Sequence, residues 1–287
     1  MKNFQLISFF LFPLLCSCQD YGELTKIQHL PSTMKEVSGI ENFPGSKMLW
    51  MINDSGNKNI LYGIRPGESE LKPIEITNAE NVDWEDLATD TSGNLYIGDF
   101  GNNANKRKDL AIYKLKDPEN LNSEDAEVEK ITFKLEDQTE FPPNRKNRNY
   151  DIEAFVHLNN NLYLFTKNRS RKSNGISKIY SVEDTPGNCT AKLVGEFQSC
   201  KNKACRITAA TLSEDSKELL LLTNRSFYIL RDFQGGDFNN AAVQHIEFDH
   251  NSQKESISFK DKNTLYIADE QNGSSGGNLY EFKLDRN

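Results

Sequence analysis

Five oxygen-bearing side chains recur in similar local contexts along the chain: Ser38, Glu85, Glu153, Thr208 and Glu255, separated by 47, 68, 55 and 47 residues. Each opens a short apolar stretch, as Glu85 does in "WEDLATD" and Glu153 in "IEAFVHL". Three are carboxylates and two are hydroxyls. Brought together, three carboxylates raise one another's pKa or demand a counter-ion. An all-oxygen set with no His or Cys suits a hard cation, most naturally Ca²⁺. The plainer alternative is a wet polar channel that holds only water.

Such a meeting requires elements that deliver five distant segments to one axis. Five units share one shape, a short strand, a turn and a stronger strand: "VSGIENFPGSKMLWMINDSGN", "WEDLATDTSGNLYIGDFGNN", "IEAFVHLNNNLYLFTKNR", "ITAATLSEDSKELLLLTNR" and "KESISFKDKNTLYIADEQN". A third strand follows each, and a fourth follows the first four ("KPIEIT", "VEKITFKL", "AKLVGEF", "VQHIEF"). Four antiparallel strands repeated radially predict an all-β, five-bladed β-propeller. The fifth unit lacks its outer strand, and "LTKIQHL" (24–30) is expected to supply it, so that no edge is left open where the ring closes. A sixth blade would have to hide in 116–150, which reads as one strand and a Pro-rich loop. In this topology the innermost strands line the channel, and the five recurring residues meet where those strands begin.

The loops entering the inner strands and those leaving the second strands share one face, the default place for function. Asp54, Asp99 and Asp269 end second strands, with Asp99 the expected base and Asp54 and Asp269 expected to contact substrate. Residues 166–178 carry Lys167, Arg169, Arg171, Lys172 and Lys178 without an acid, and 200–206 add Lys201, Lys203 and Arg206. This flank implies an anionic small-molecule substrate, with Arg169 and Arg225 holding a phosphate and Lys167 beside it. Asp83 and Asp86 are expected to be solvated loop acids.

The ordered set Ser38, Glu85, Glu153, Thr208, Glu255 resembles the inner-strand column of the soluble calcium-activated nucleotidases, the apyrase family, which runs Ser, Glu, Glu, Ser, Glu. The texts "WEDLATDTSGNLYIGDFG", "IEAFVHL" and "KESISF" are similar to that family's strands, and Thr208 keeps the hydroxyl of the serine it replaces. The resemblance spans roughly 36–287 and implies a five-bladed propeller with central Ca²⁺ and hydrolysis of nucleotides or phosphate esters. The "DWED" and "IGDFGNN" texts also resemble bacterial lipoprotein propellers, and a weaker resemblance is to phytase-like and esterase-like propellers.

The N-terminus frames where this chemistry takes place. Lys2, the apolar run Phe4–Leu15 and "LCSC" resemble a bacterial lipoprotein signal, with residues 1–17 removed and Cys18 lipidated. An ordinary secretory signal is the alternative. Residues 18–23 then form a tether and 24–287 the propeller, anchored to the lipid bilayer of the cell envelope, at the outer membrane or cell surface, as a monomer. Of the remaining cysteines, Cys189, Cys200 and Cys205, at most two pair; Cys200 and Cys205 are closest in sequence, but spacing does not fix connectivity. A net charge of −8 argues against nucleic acid as a partner. No GxxxxGK[ST], HExxH or GxSxG is present, and four scattered histidines offer no ligand set. A non-catalytic binding propeller pinned by calcium stands as the alternative to an enzyme.

Overall fold

The computed structural model describes residues 21–171 and 173–286. The expected signal segment 1–17, Cys18 and the start of the tether lie outside the described residues. In chain order the strands are β1 (Thr25–His29); β2 (Val37–Asn42), β3 (Leu49–Asn53), β4 (Ile60–Ile64) and β5 (Leu71–Ile76); β6 (Trp84–Thr89), β7 (Leu95–Asp99), β8 (Leu110–Leu115), β9 (Asp125–Ala126) and β10 (Glu129–Leu135); β11 (Ile152–Leu158), β12 (Asn161–Thr166), β13 (Ile176–Glu183) and β14 (Gly187–Gln198); β15 (Ile207–Leu212), β16 (Leu219–Thr223), β17 (Ser226–Arg231) and β18 (Ala242–Glu247); and β19 (Lys254–Asp261), β20 (Thr264–Asp269) and β21 (Asn278–Lys283).

The fold is all-β and propeller-like. Hydrogen bonding gathers the strands into four sheets rather than five separate ones. β2–β5 form one sheet with β9 at its edge, β15–β18 a second, and β19–β21 a third. β1 pairs antiparallel with β21, the outer position expected for residues 24–30. The fourth sheet has eight strands, because β10 of the second unit and β14 of the third pair in parallel. That fusion follows from the 12-residue length of β14, which reaches past its own unit.

The second strand of each unit, such as "LYIGD" in β7 and "LLLLT" in β16, is buried along its whole length or nearly so, hence its near-continuous apolar text. Outer strands alternate or face water, as β18 does. Apolar cores lie between successive units. Trp50, Ile52 and Ile74 of the first pack against Trp84, Leu87 and Ile97 of the second. Similar cores join the second unit to the third, the third to the fourth, the fourth to the fifth and the fifth to the first. The inner strands β2, β6, β11, β15 and β19 pack each against the next, with β19 back on β2. Their starts therefore converge on one axis.

Candidate metal centre

A β-bulge aims each recurring residue. The register of the inner strand shifts across Ser38, Glu85, Glu153, Thr208 and Glu255, in every case between the residue before and the residue after. A bulge inserts one unpaired residue and redirects its side chain, a common device beside functional sites. All five side chains are buried. The two hydroxyls also tie neighbouring inner strands together: Ser38 Oγ donates to Trp84 O at 2.8 Å and Thr208 Oγ1 to Lys254 O at 2.9 Å.

A second ring surrounds the first. The residues just past the second strands donate backbone N–H groups to the carbonyls two residues before the bulges: Asp54 to Glu36, Gly101 to Asp83, Lys167 to Asp151 and Glu270 to Gln253. In the fourth unit Asn224 lies just past β16, and its Nδ2 reaches Lys254 O at 3.1 Å and Glu255 Oε1 at 3.3 Å. The mouth thus gathers Asp54, Asp83, Glu85, Asp151, Glu153, Glu255 and Glu270.

Charge balance divides this mouth in two. On one side Lys167 bridges Glu153 Oε2 at 2.8 Å and Glu255 Oε2 at 3.6 Å. Arg169 clamps Asp151 and lies 2.7 Å from Glu153 Oε1. Burial alone would raise the Glu153 carboxyl, but Lys167 and Arg169 hold it below the usual range. On the other side Asp54, Asp83 and Glu85 bring carboxylate oxygens within 4.8 Å of one another. None of the three has an ion pair among the described residues. Burial, then the charges of Glu153, Asp54 and Asp83, push the Glu85 carboxyl well above its ordinary value. Burial and the charge of Asp54 push Asp83 up to about 7. A Cβ at Gly101 would collide with Glu85 Oε1 and lie 2.5 Å from Asp83 Cγ. The second ring therefore has no side chain beside Asp83 and Glu85, and leaves a cradle there. An oxygen-only donor set with excess negative charge fits a hard cation such as Ca²⁺.

Several expected assignments are corrected by this geometry. Lys167 and Arg169 do not await a substrate anion; they neutralise glutamates and Asp151. Asp99 is not a free base: buried at 1% exposure, it accepts from Asp83 N at 3.0 Å and Tyr113 OH at 3.2 Å and pairs with Arg107 at 3.0 Å. Asp269 is held the same way, by Asn278 N at 2.8 Å and Tyr280 OH at 2.9 Å. Both are the last residues of second strands, and strand alternation turns them into their own unit instead of toward the axis. Arg225 is exposed on the turn after β16 and makes no ion pair among the described residues. Lys178 points to Asp137 and over the Tyr150 ring. Asp54, expected to contact substrate, belongs to the unpaired acid trio.

Of Asp83 and Asp86, both expected as solvated loop acids, Asp83 is half-buried in the loop before β6 and Asp86 is fully buried within β6. Asp83 joins the trio. Asp86 has no exposure and spans the axis beneath the mouth, accepting from Leu87 N at 2.9 Å, Phe155 N at 3.1 Å and Ala210 N at 3.2 Å. Gly39 permits this crossing, since a Cβ there would sit 2.9 Å from Asp86 Cα. Deeper still, Glu41 Oε1 accepts from Asn42 N at 3.0 Å and Ser258 Oγ at 2.9 Å, and burial pushes its carboxyl up to about 8. At the mouth, burial and then the charges of Glu255 and Asp54 push Glu270 up to about 8. Away from the axis, Asp90, His157 and Asp184 also cluster, but Tyr96 OH and the stacked His157 ring already fill that network. Cys200 and Cys205 form a disulfide and Cys189 is free.

No protein-family model and no curated protein matches the chain. Among solved structures, the PQQ-bound form of an aldose sugar dehydrogenase from Streptomyces coelicolor aligns with a TM-score of 0.50 at 7% identity, over 91% of this chain and 98% of that one. A gluconolactonase from Xanthomonas campestris aligns at 0.49 and 9% identity, over 94% and 100%. At such identities the likeness to the dehydrogenase speaks to the propeller-like fold alone.

Proposed function

We propose that this chain is a five-bladed β-propeller hydrolase that uses a divalent cation, Ca²⁺, to act on phosphate esters or anhydrides, nucleotides among them. The blade count is supported by the inter-unit cores and by the circuit of inner strands, with the second and third blades fused through β10 and β14. One observation carries the functional reading: seven carboxylates line the mouth against two ion-paired cations, Lys167 and Arg169, and Asp83 and Glu85 of the unpaired trio flank the Gly101 cradle. Asp54, Asp83 and Glu85 would hold the ion, with Glu153 and Asp151 clustered on the other side of Glu85. When bound, the cation would polarise a phosphoryl oxygen and lower the pKa of a coordinated water. Glu270, half-buried at the mouth and outside both the trio and the ion pairs, would take up and release the proton.

The chain would be delivered by the signal at 1–17 and tethered to the envelope bilayer by lipidated Cys18, as a monomer. Phosphate release from a panel of nucleotides and phosphoesters, with Ca²⁺ and with chelator, tests the activity. Calcium-dependent release supports it, and release equal to the enzyme-free control at every substrate refutes it. A second reading, a non-catalytic binding propeller pinned by calcium, draws support from the engagement of Asp99 and Arg169 in internal pairs.

A further inference from the structure

Arg206 differs from the other basic residues at the mouth. It directly precedes β15, two residues before Thr208. Its Nε is buried and has no hydrogen-bond partner, and its guanidinium forms no ion pair among the described residues. Arg169 lies close enough for its charge, after burial, to pull Arg206 below the ordinary guanidinium value, while Asp151 and Glu153 act the other way. Arg206 lies two residues before the fourth unit's bulge, as Asp151 does in the third, where Arg169 is locked on carboxylates; Arg206 has no anion among the described residues. A buried, unpaired guanidinium N–H is costly unless an acceptor arrives from outside.

The loop that presents Arg206 is fixed. The Cys200–Cys205 disulfide closes it, with the Cα atoms 5.6 Å apart. Inside it a 3₁₀ turn at Lys203–Cys205 is capped by Asn202, whose side chain accepts from Ala204 N at 3.1 Å. Arg206 N donates back to Lys203 O at 3.3 Å, and Cys200 N donates to Tyr228 OH at 3.2 Å, joining the loop to its own unit. Lys201 and Lys203 are exposed on this loop, which carries no acid. Arg148 borders the same edge, its carbonyl accepting from Arg169 N at 2.9 Å.

We infer that Arg206, held in place by the Cys200–Cys205 loop, is the anion-contacting residue of the mouth, and that the group it takes is a phosphoryl oxyanion. This rests on, and sharpens, the reading of the mouth as a phosphoester site: the anion contact moves from Arg169 and Arg225 to Arg206. Guanidinium suits the role because its N–H groups form a fork that matches two oxygens of a phosphoryl group. The disulfide acts as a positioning element, limiting the conformations from which Arg206 must be gathered on binding.

The test is calorimetric titration of the full chain with phenylphosphonate in the presence of Ca²⁺, beside turnover of a phosphoester. Arg206→Gln should weaken phenylphosphonate binding roughly tenfold or more, the loss expected for a charge-assisted contact. Arg206→Lys should recover part of it. Cys200→Ser with Cys205→Ser should weaken binding by a smaller factor while Arg206 is still present. Thermal unfolding of each variant separates lost contact from lost fold, and Arg206→Lys serves where the glutamine fails to fold. Binding by Arg206→Gln within about twofold of the parent, or no phenylphosphonate binding by the parent, overturns the inference. Turnover with an unchanged KM in Arg206→Gln overturns it too, and leaves the hydrolase reading standing. Arg206-dependent binding without turnover of any phosphoester would sink the hydrolase reading and leave the anion site.

Discussion

Replacing Lys167 by methionine removes the ammonium that lies 2.8 Å from Glu153 and 3.6 Å from Glu255. Methionine keeps most of the stem's volume, so the change is one of charge. Breaking a buried ion pair costs about 3–5 kcal/mol, because the partner is left charged and poorly solvated. The lower end applies here, since Arg169 still holds Glu153 and Asn224 still reaches Glu255. A loss of about 3 kcal/mol corresponds to roughly 5 °C in Tm for a chain of this size. The assay is thermal unfolding followed by circular dichroism, in chelator, near pH 8 and near pH 5. Without Lys167 both glutamates keep protons to higher pH, so the deficit should shrink at the acid condition, where a neutral carboxyl replaces an unpaired anion. Excess Ca²⁺ should stabilise the variant by more than it stabilises the parent, because the vacated column then has room and charge for an ion. Adding Glu255→Gln to Lys167→Met should return part of the loss, as expected for coupled neighbours. A Tm change below about 1 °C at either pH, or an equal deficit at both, would refute the assignment of Lys167 as the internal counter-ion.

Two further outcomes follow from the axis. Gly101→Ala places a methyl group on Glu85 Oε1, so calcium affinity should fall at least tenfold while stability in chelator drops by only about 1 kcal/mol; calorimetric titration and unfolding check the two parts. The folded Glu41 carboxyl, at about 8, stands above its unfolded value, so its contribution to stability is complete below about pH 4 and declines as pH rises through 8. Glu41→Gln keeps an acceptor for both Asn42 N and Ser258 Oγ, and should remove that decline, leaving the variant more stable than the parent near pH 9 by up to about 4 kcal/mol in chemical denaturation.

The repeated strand text made the all-β architecture and the convergence of Ser38, Glu85, Glu153, Thr208 and Glu255 legible, because apolar second strands and polar strand starts recur in every unit. What the text hid was register. Arg225 and Asp269 sit one residue from Asn224 and Glu270, which bond the start of β19 and the residue before it, and a one-residue shift turns a side chain away from the axis; Asp99 ends β7 two residues before Gly101, whose N–H bonds Asp83 O. For Lys167 and Arg169 the sequence shows the basic run but not its partners. Asp151 and Glu153 are 14 to 18 residues earlier and face them only once β11 and β12 pair. Asp86 has no sequence signal separating it from its neighbours Asp83 and Glu85; its burial follows from a bulge that places consecutive residues at different depths. The parallel β10–β14 contact that fuses two units likewise depends on a strand length that composition does not reveal.

The central claim is that Asp54, Asp83 and Glu85 hold a hard cation at the mouth. Thermal unfolding with excess Ca²⁺ and with chelator, on the parent, Asp54→Asn and Glu85→Gln, tests it most directly. Ligand at a hundredfold its Kd adds about 2.7 kcal/mol, or roughly 5 °C here. A calcium-dependent rise of that order is expected in the parent, lost in both variants, with one ion per chain by metal analysis. An equal Tm in calcium and chelator, together with no bound metal, would contradict it.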